Sequence, residues 1–182
     1  TTNWLRAFKG ASQSGTWAVS STSASTSLGQ SPLASPSVFN FWRPGFVPPS
    51  STELGSRNLL SPEFQTIDEV STASWINVIQ DWVNAGFGNA VTGFTGRDIQ
   101  VNYASEIALA DNPAALVDRV NMLLLYGQMT DFLKTRVTAA VTSIAIPAAT
   151  GSNQATIDAA KLNRAKMAIF MTLIAPEYLT QR

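Results

Sequence analysis

Apolar positions recur at helical spacing in four separate stretches of the chain. Val70, Ala73, Trp75, Ile76, Val78, Ile79 and Trp82 follow one such pattern, opened by a Thr66-x-x-Glu69 capping box and closed by Asn84, Ala85 and Gly86. A second runs from Leu116 through Val120 and Leu123 to Tyr126. Asn112 supplies its N-cap, Pro113 its first position and Gly127 its stop. A third begins at Thr130 and Asp131, carries Phe132, Leu133, Val137, Ala140, Val141 and Ile144, and ends before Pro147. The short link between these two predicts an antiparallel helix pair. The fourth and longest, Gln154 to Ile174, is free of Gly and Pro and rich in Ala, Lys, Met and Leu. Its apolar face is expected from Leu162, Ile169 and Leu173 with Met167, Phe170 and Ile174.

The first sixty residues have a different character. Asn3 to Lys9 places Trp4, Leu5 and Phe8 at helical spacing, with Asn3 as the expected N-cap and Gly10 as the stop. Residues 11–37 are mostly Ser, Thr, Ala and Gly, too poor in apolar side chains to bury, and predict a long surface loop. Ser35 to Pro49 then sets Phe39, Phe41, Trp42 and Phe46 among Pro36, Pro44, Pro48 and Pro49. Proline forbids a regular helix there while the aromatics favour burial, so an ordered, irregular segment is expected. Gly86, Gly88, Gly93 and Gly96 predict another loop. The fold expected from these patterns is all-α, a bundle of about four to five helices with a long ordered N-terminal loop. It forms a single helical domain over residues 1–182, mostly irregular over 1–60 and mostly helical over 61–182.

Composition narrows the chemistry. Charged residues are only 13% of the chain, against about 25% in typical soluble domains, and twelve Lys and Arg balance twelve Asp and Glu. With no net field and no basic cluster, nucleic acid is not an expected partner. Lys161, Arg164 and Lys166 are expected to form an ordinary solvated helix face. There is no Cys and no His. Thiolate chemistry, disulfides, the usual neutral-pH base and a Ser-His-Asp triad within the chain are therefore excluded. No cofactor and no transition metal is expected, and no apolar run has the 18 or so residues of a spanning helix.

Four strings carry a resemblance. SPSVFNFWRPGFVPP (Ser35 to Pro49), LLSPEFQTIDEVSTASW (Leu59 to Trp75), ALVDRVNMLLLYGQM (Ala115 to Met129) and APEYLTQR (Ala175 to Arg182) resemble, in order and spacing, the closing third of the bacterial family known as domain of unknown function 1800. Members of that family are typically longer and exported. The resemblance implies the C-terminal portion of a larger parent protein and a periplasmic or extracellular location. It supplies no catalytic motif.

The residues singled out for binding or interaction are Phe41, Trp42, Arg43 and Phe46 in the aromatic segment and Trp4, Leu5 and Phe8 at the start. A buried belt is the expected role of Phe41, Trp42 and Phe46, with a polysaccharide-binding surface as its alternative, and Arg43 is expected to pair with a carboxylate, with stacking on an aromatic face as the alternative. The second group, on a helix too short to stand alone, is expected to lean on the N-terminal remainder of the parent or on a second copy. Asp118, Arg119 and Asn121 are expected to form an interhelical hydrogen-bond set. The glycines from Gly86 to Gly96 lack the Lys-Ser/Thr pair of a phosphate loop. The function expected is a non-catalytic structural or interaction segment. The alternative is part of an extracellular hydrolase whose catalytic residues lie outside these 182 residues.

Overall fold

The computed structural model describes residues 2–18, 33, 35, 37–38, 40–65, 69–93 and 96–179. Phe39, most of the Ser- and Thr-rich stretch and the capping residue Thr66 lie outside them. The chain divides into two compact units, one made of residues 1–18 with 79–182 and the other of residues 19–78.

The larger unit is built on three mutually packed helices, α5 (Pro113–Leu125), α6 (Asp131–Ser143) and α7 (Gln154–Leu173). Their starts are set by local chemistry. The Asn112 side chain accepts from the Ala115 N–H ahead of Pro113, and Thr130 Oγ1 accepts from the Leu133 N–H. Leu116, Val117, Val120 and Leu124 of α5 and Val137 and Val141 of α6 are all buried in the core, and the two helices pack on each other. The buried stripe of α7 is mainly small, with Ala160, Ala165 and Ala168 beside Ile169, Thr172 and Leu173, whereas Leu162, Met167 and Phe170 are only half-buried. Alanine at the contact lets three helices approach closely. Short α4 (Ala104–Ile107) packs on α5 and α7, as does α8 (Pro176–Leu179).

The expected all-α bundle is overturned. Among the described residues there are eight α-helices, one 3-10 helix and a three-stranded antiparallel sheet. Strand β3 (Arg97–Gln100) is central, flanked by β1 (Ala11–Ser12) and β2 (Phe87–Ala90). Ala11 pairs with Gln100 and Ser12 with Ile99 on one side, Phe87 with Ile99 and Ala90 with Arg97 on the other. Of the four glycines read as loop signals, Gly88 lies inside the irregular strand β2, while Gly93 and Gly96 do fall in the connection between β2 and β3. Gly86 has φ of 87°, and a Cβ there would fall 2.6 Å from the Ile99 carbonyl oxygen. Strands of two and four residues interrupted by glycine show no alternation, which is why the pattern concealed them.

The first helix is also shifted. α1 spans Thr2–Ala7, so Asn3 lies within it rather than capping it. The left-handed residue at its end is Lys9 (φ 51°), after which the Gly10 N–H donates to the Leu5 carbonyl at 2.6 Å. α1 packs on α5, and the aromatic side chains of Trp4 and of Phe8, which directly follows the helix, enter a cluster. Trp4 stacks on Trp82 with centroids 6.5 Å apart, Phe87 meets Trp82 edge-on at 4.5 Å, and Phe8 meets Tyr103 edge-on at 5.3 Å. The Trp4 indole N–H donates to the Tyr103 hydroxyl at 3.2 Å, and the Asn102 N–H donates to the Phe8 carbonyl at 2.8 Å.

The smaller unit holds α2 (Glu53–Ser56), the 3-10 helix over Pro62–Gln65 and the first part of α3 (Glu69–Ala85), which ends in the larger unit. Thr52 caps α2 by accepting from the Gly55 N–H. Gly55 is required because a Cβ there would come within 2.0 Å of the Pro49 carbonyl oxygen.

Because Trp4 is 1% exposed and contacts both Trp82 and Tyr103, Trp4→Ala should lower unfolding free energy by about 3–5 kcal/mol. A urea midpoint unchanged from the native chain would show that the cluster does not hold α1.

Candidate functional site

The aromatic segment lies in the smaller unit. Phe41 and Phe46 are half-buried, Trp42 is 39% exposed and Arg43 is exposed. The buried belt expected from the sequence is therefore not what these described side chains form. Prolines at 44, 48 and 49 keep the backbone out of a helix, and the Phe46 N–H closes a turn on the Arg43 carbonyl at 3.1 Å. The Phe46 carbonyl accepts from the Ser61 N–H at 2.9 Å, and the Arg43 N–H donates to the Gln65 side chain. This segment is thus pinned by its backbone while Trp42 stays accessible. Residues 43–47 also line a shallow concavity of about 510 Å³.

Trp4 and Phe8, the other group singled out, are committed to the core of the larger unit, and Leu5 is half-buried. Neither Trp4 nor Phe8 presents an exposed face.

The polar chemistry of the larger unit is absorbed by cross-element contacts. Asp98 on β3 is buried, accepting from the Ser14 N–H at 2.8 Å, the Ser14 hydroxyl at 2.7 Å and the Ser12 hydroxyl at 3.2 Å. The Ser14 hydroxyl and then its N–H hold the Asp98 carboxyl below its usual range, against a smaller opposing effect of burial. Glu106 on α4 is buried and receives the Arg119 guanidinium of α5 at 2.5 Å. Burial, with the nearby Glu106 carboxylate adding to it, pushes the Tyr103 phenol above its usual range.

Asp118, Arg119 and Asn121 do reach other elements, but each a different one. Asp118 pairs with Lys134 of α6 at 2.5 Å, Arg119 with Glu106, and the Asn121 side chain accepts from the Met129 N–H at 2.9 Å. Lys161, Arg164 and Lys166, expected on a solvated face, are half-buried and reach three places. Lys161 pairs with Asp111 at 2.5 Å, Arg164 donates to the carbonyls of Ile144 and Ala110 at 2.8 and 2.9 Å, and Lys166 donates to the Asn84 carbonyl at 3.1 Å. Cations seated at the ends of α6 and α3 satisfy carbonyls that those helices leave unpaired. Sequence reasoning missed this role. The available signal was that Arg164 and Lys166 lie on the two edges of the face that carries the buried alanines Ala165 and Ala168, not opposite it.

The most prominent exposed apolar side chains of the larger unit sit where α5 turns into α6. Met122, Tyr126 and Phe132 are all exposed, Phe132 carrying Arg136 over its ring at 5.3 Å. Tyr126 closes α5 with φ of 54°, followed by Gly127 at 82°. Among the described residues, no group of three or more His, Cys, Asp or Glu is arranged to hold a metal, and no helix is long and apolar enough to cross a membrane.

The larger unit defines an α+β protein that combines three packed helices with a small antiparallel sheet. The family model described as "Protein of unknown function (DUF1800)" matches residues 1–180, and the chain belongs to that family. No curated protein and no solved structure matches it.

Since hydrogen bonding lowers the folded-state pKa of Asp98, its contribution is present above the unfolded value, about 3.9, and is lost as pH falls through the folded value. Asp98→Asn should therefore destabilise the chain near pH 6, with the gap from the native protein narrowing below about pH 4. Urea midpoints taken from pH 6 to pH 3 check this. A constant gap across that range would remove Asp98 as a source of acid sensitivity.

Proposed function

We propose that this chain is a non-catalytic structural and interaction segment of an exported bacterial protein, presenting the α5–α6 corner to a protein partner. The observation that carries the reading is Tyr126. It is 76% exposed and held in the left-handed region, where a bulky side chain is disfavoured by about 1–3 kcal/mol. Glycine is the usual solution at a helix C-terminus, so an aromatic held there at a conformational cost points to use of the ring. Phe132, 70% exposed on the first turn of α6, and Met122 on the last turns of α5 add apolar area at the same corner. The paired carboxylates of the larger unit support a non-catalytic role. Asp98, Glu106, Asp111 and Asp118 all hold elements together.

The partner is the remainder of a longer parent protein or a second copy of this chain, and the site of action is periplasmic or extracellular. Tyr126→Gly tests the reading because it separates strain from contact. The variant should melt no lower than the native chain, and be more stable by up to about 1 kcal/mol, while losing association. Light scattering of the chain alone examines self-association, and co-purification with the rest of the parent examines the other partner. Unchanged association in both assays for Tyr126→Gly combined with Phe132→Ser would sink the proposal.

A second reading rests on Trp42. Its accessible ring beside Arg43 suits stacking on a sugar. Titration with soluble polysaccharides should then quench a part of the indole fluorescence that Trp42→Phe abolishes. Equal quenching in the variant would exclude this residue.

A further inference from the structure

The cleft between the last turns of α3 and the middle of α7, with Ile144 at the end of α6 also lining it, has a volume of about 300 Å³. We propose that it binds a monocarboxylate carried on an apolar body of amino-acid size, with Lys166 receiving the carboxylate. The walls follow from helical spacing. Asn163, Lys166, Met167 and Phe170 occupy positions i, i+3, i+4 and i+7 of α7, and Gln80, Val83 and Asn84 occupy i, i+3 and i+4 of α3. Each helix therefore lends one face, apolar at Val83, Met167 and Phe170 and polar elsewhere. That composition, and a volume at the small end of the usual 300–1,000 Å³ range, is the pattern of a small-molecule site.

Charge decides the ligand. Of the three cations along α7, Lys161 has the Asp111 carboxylate and Arg164 has two carbonyls, but among the described residues Lys166 has a single carbonyl, that of Asn84, and no carboxylate. An ammonium has three donors, so two remain unused by the described residues. Burial already holds the Lys166 amine below its usual range, and an anion in the cleft would reverse that effect. The exposed side-chain amides of Gln80, Asn84 and Asn163 line the same cleft and bond to no other group among the described residues, each offering a donor and an acceptor. These fit the second carboxylate oxygen and an adjacent amide group. Val83, Met167 and Phe170 fit the apolar body.

N-acetyl-leucine and its neutral carboxamide are the probes, titrated into isotope-labelled full chain and followed by amide chemical shifts. The acid should shift residues of α3 and α7 around Asn84 and Lys166 and bind about tenfold or more tightly than the carboxamide. Lys166→Gln should erase that preference, whereas Lys134→Gln, on α6 outside the cleft, should leave it intact. If Lys166→Gln fails to fold, Asn163→Ala, an exposed wall position, should weaken the acid. A short peptide ending in leucine separates two sources of the same chemistry. Tighter binding than N-acetyl-leucine assigns the amides to a peptide backbone, and weaker binding assigns the cleft to a free acid. Equal affinity for acid and carboxamide, or no shift in the cleft at tens of millimolar acid, overturns the proposal.

Discussion

The larger unit depends on one aromatic cluster that closes the chain on itself. Trp4 stacks on Trp82 and hydrogen-bonds Tyr103, while Phe8 packs edge-on against the same tyrosine. These residues come from α1, from the end of α3 and from the segment just before α4. Tyr103 lies 99 positions after Trp4. Ordering so long a span costs entropy that only large buried surfaces offset, and aromatic side chains bury the most area per residue ordered. β1 and β3 then pair in the same neighbourhood, with Asp98 gripping the serines that follow α1. Without the cluster, neither α1 nor a two-residue strand has enough contacts of its own to persist.

This arrangement explains what the sequence revealed and what it concealed. α5, α6 and α7 were legible because their signals are local. Asn112 with Pro113, Thr130 with Asp131 and the Gly- and Pro-free run from Gln154 each act within a few residues, and the observed helices begin where those signals lie. The sheet was not legible, since β1 has two residues and β2 is irregular between Phe87 and Ala90, so neither shows a period. The partner of α1 was hidden for the same reason in reverse. Trp4 and Phe8 announce a need for burial, but nothing local says that Trp82 and Tyr103 meet it. The α5–α6 corner and the cleft at Lys166 were also invisible, because a helical wheel shows which side chains share a face, not which face a neighbour covers.

The electrostatics follow a related economy. With few charges, no His and no Cys, the larger unit uses its ions as ties between elements. Arg119 joins α4 to α5 through Glu106, and Lys134 joins α5 to α6 through Asp118. The α7 cations reach the ends of α6 and α3. The Glu106 pair is the consequential one, because its carboxylate is buried and would be costly to leave unpaired. Exposed pairs such as Lys134 with Asp118 set orientation more than they add stability.

The division of the chain bears on the family's capacity to change. Residues 1–18 and 79–182 form one unit, and everything between them belongs to the other. To the larger unit, residues 19–78 are an excursion whose two ends are already anchored by strand pairing and by Trp82. The closure entropy of such an excursion grows only with the logarithm of its length, about 0.6 kcal/mol for each doubling. Lengthening or shortening it is therefore thermodynamically mild for the helical core. The same architecture can carry inserts of very different size at this point, and new recognition surfaces can arise there while the scaffold stays intact.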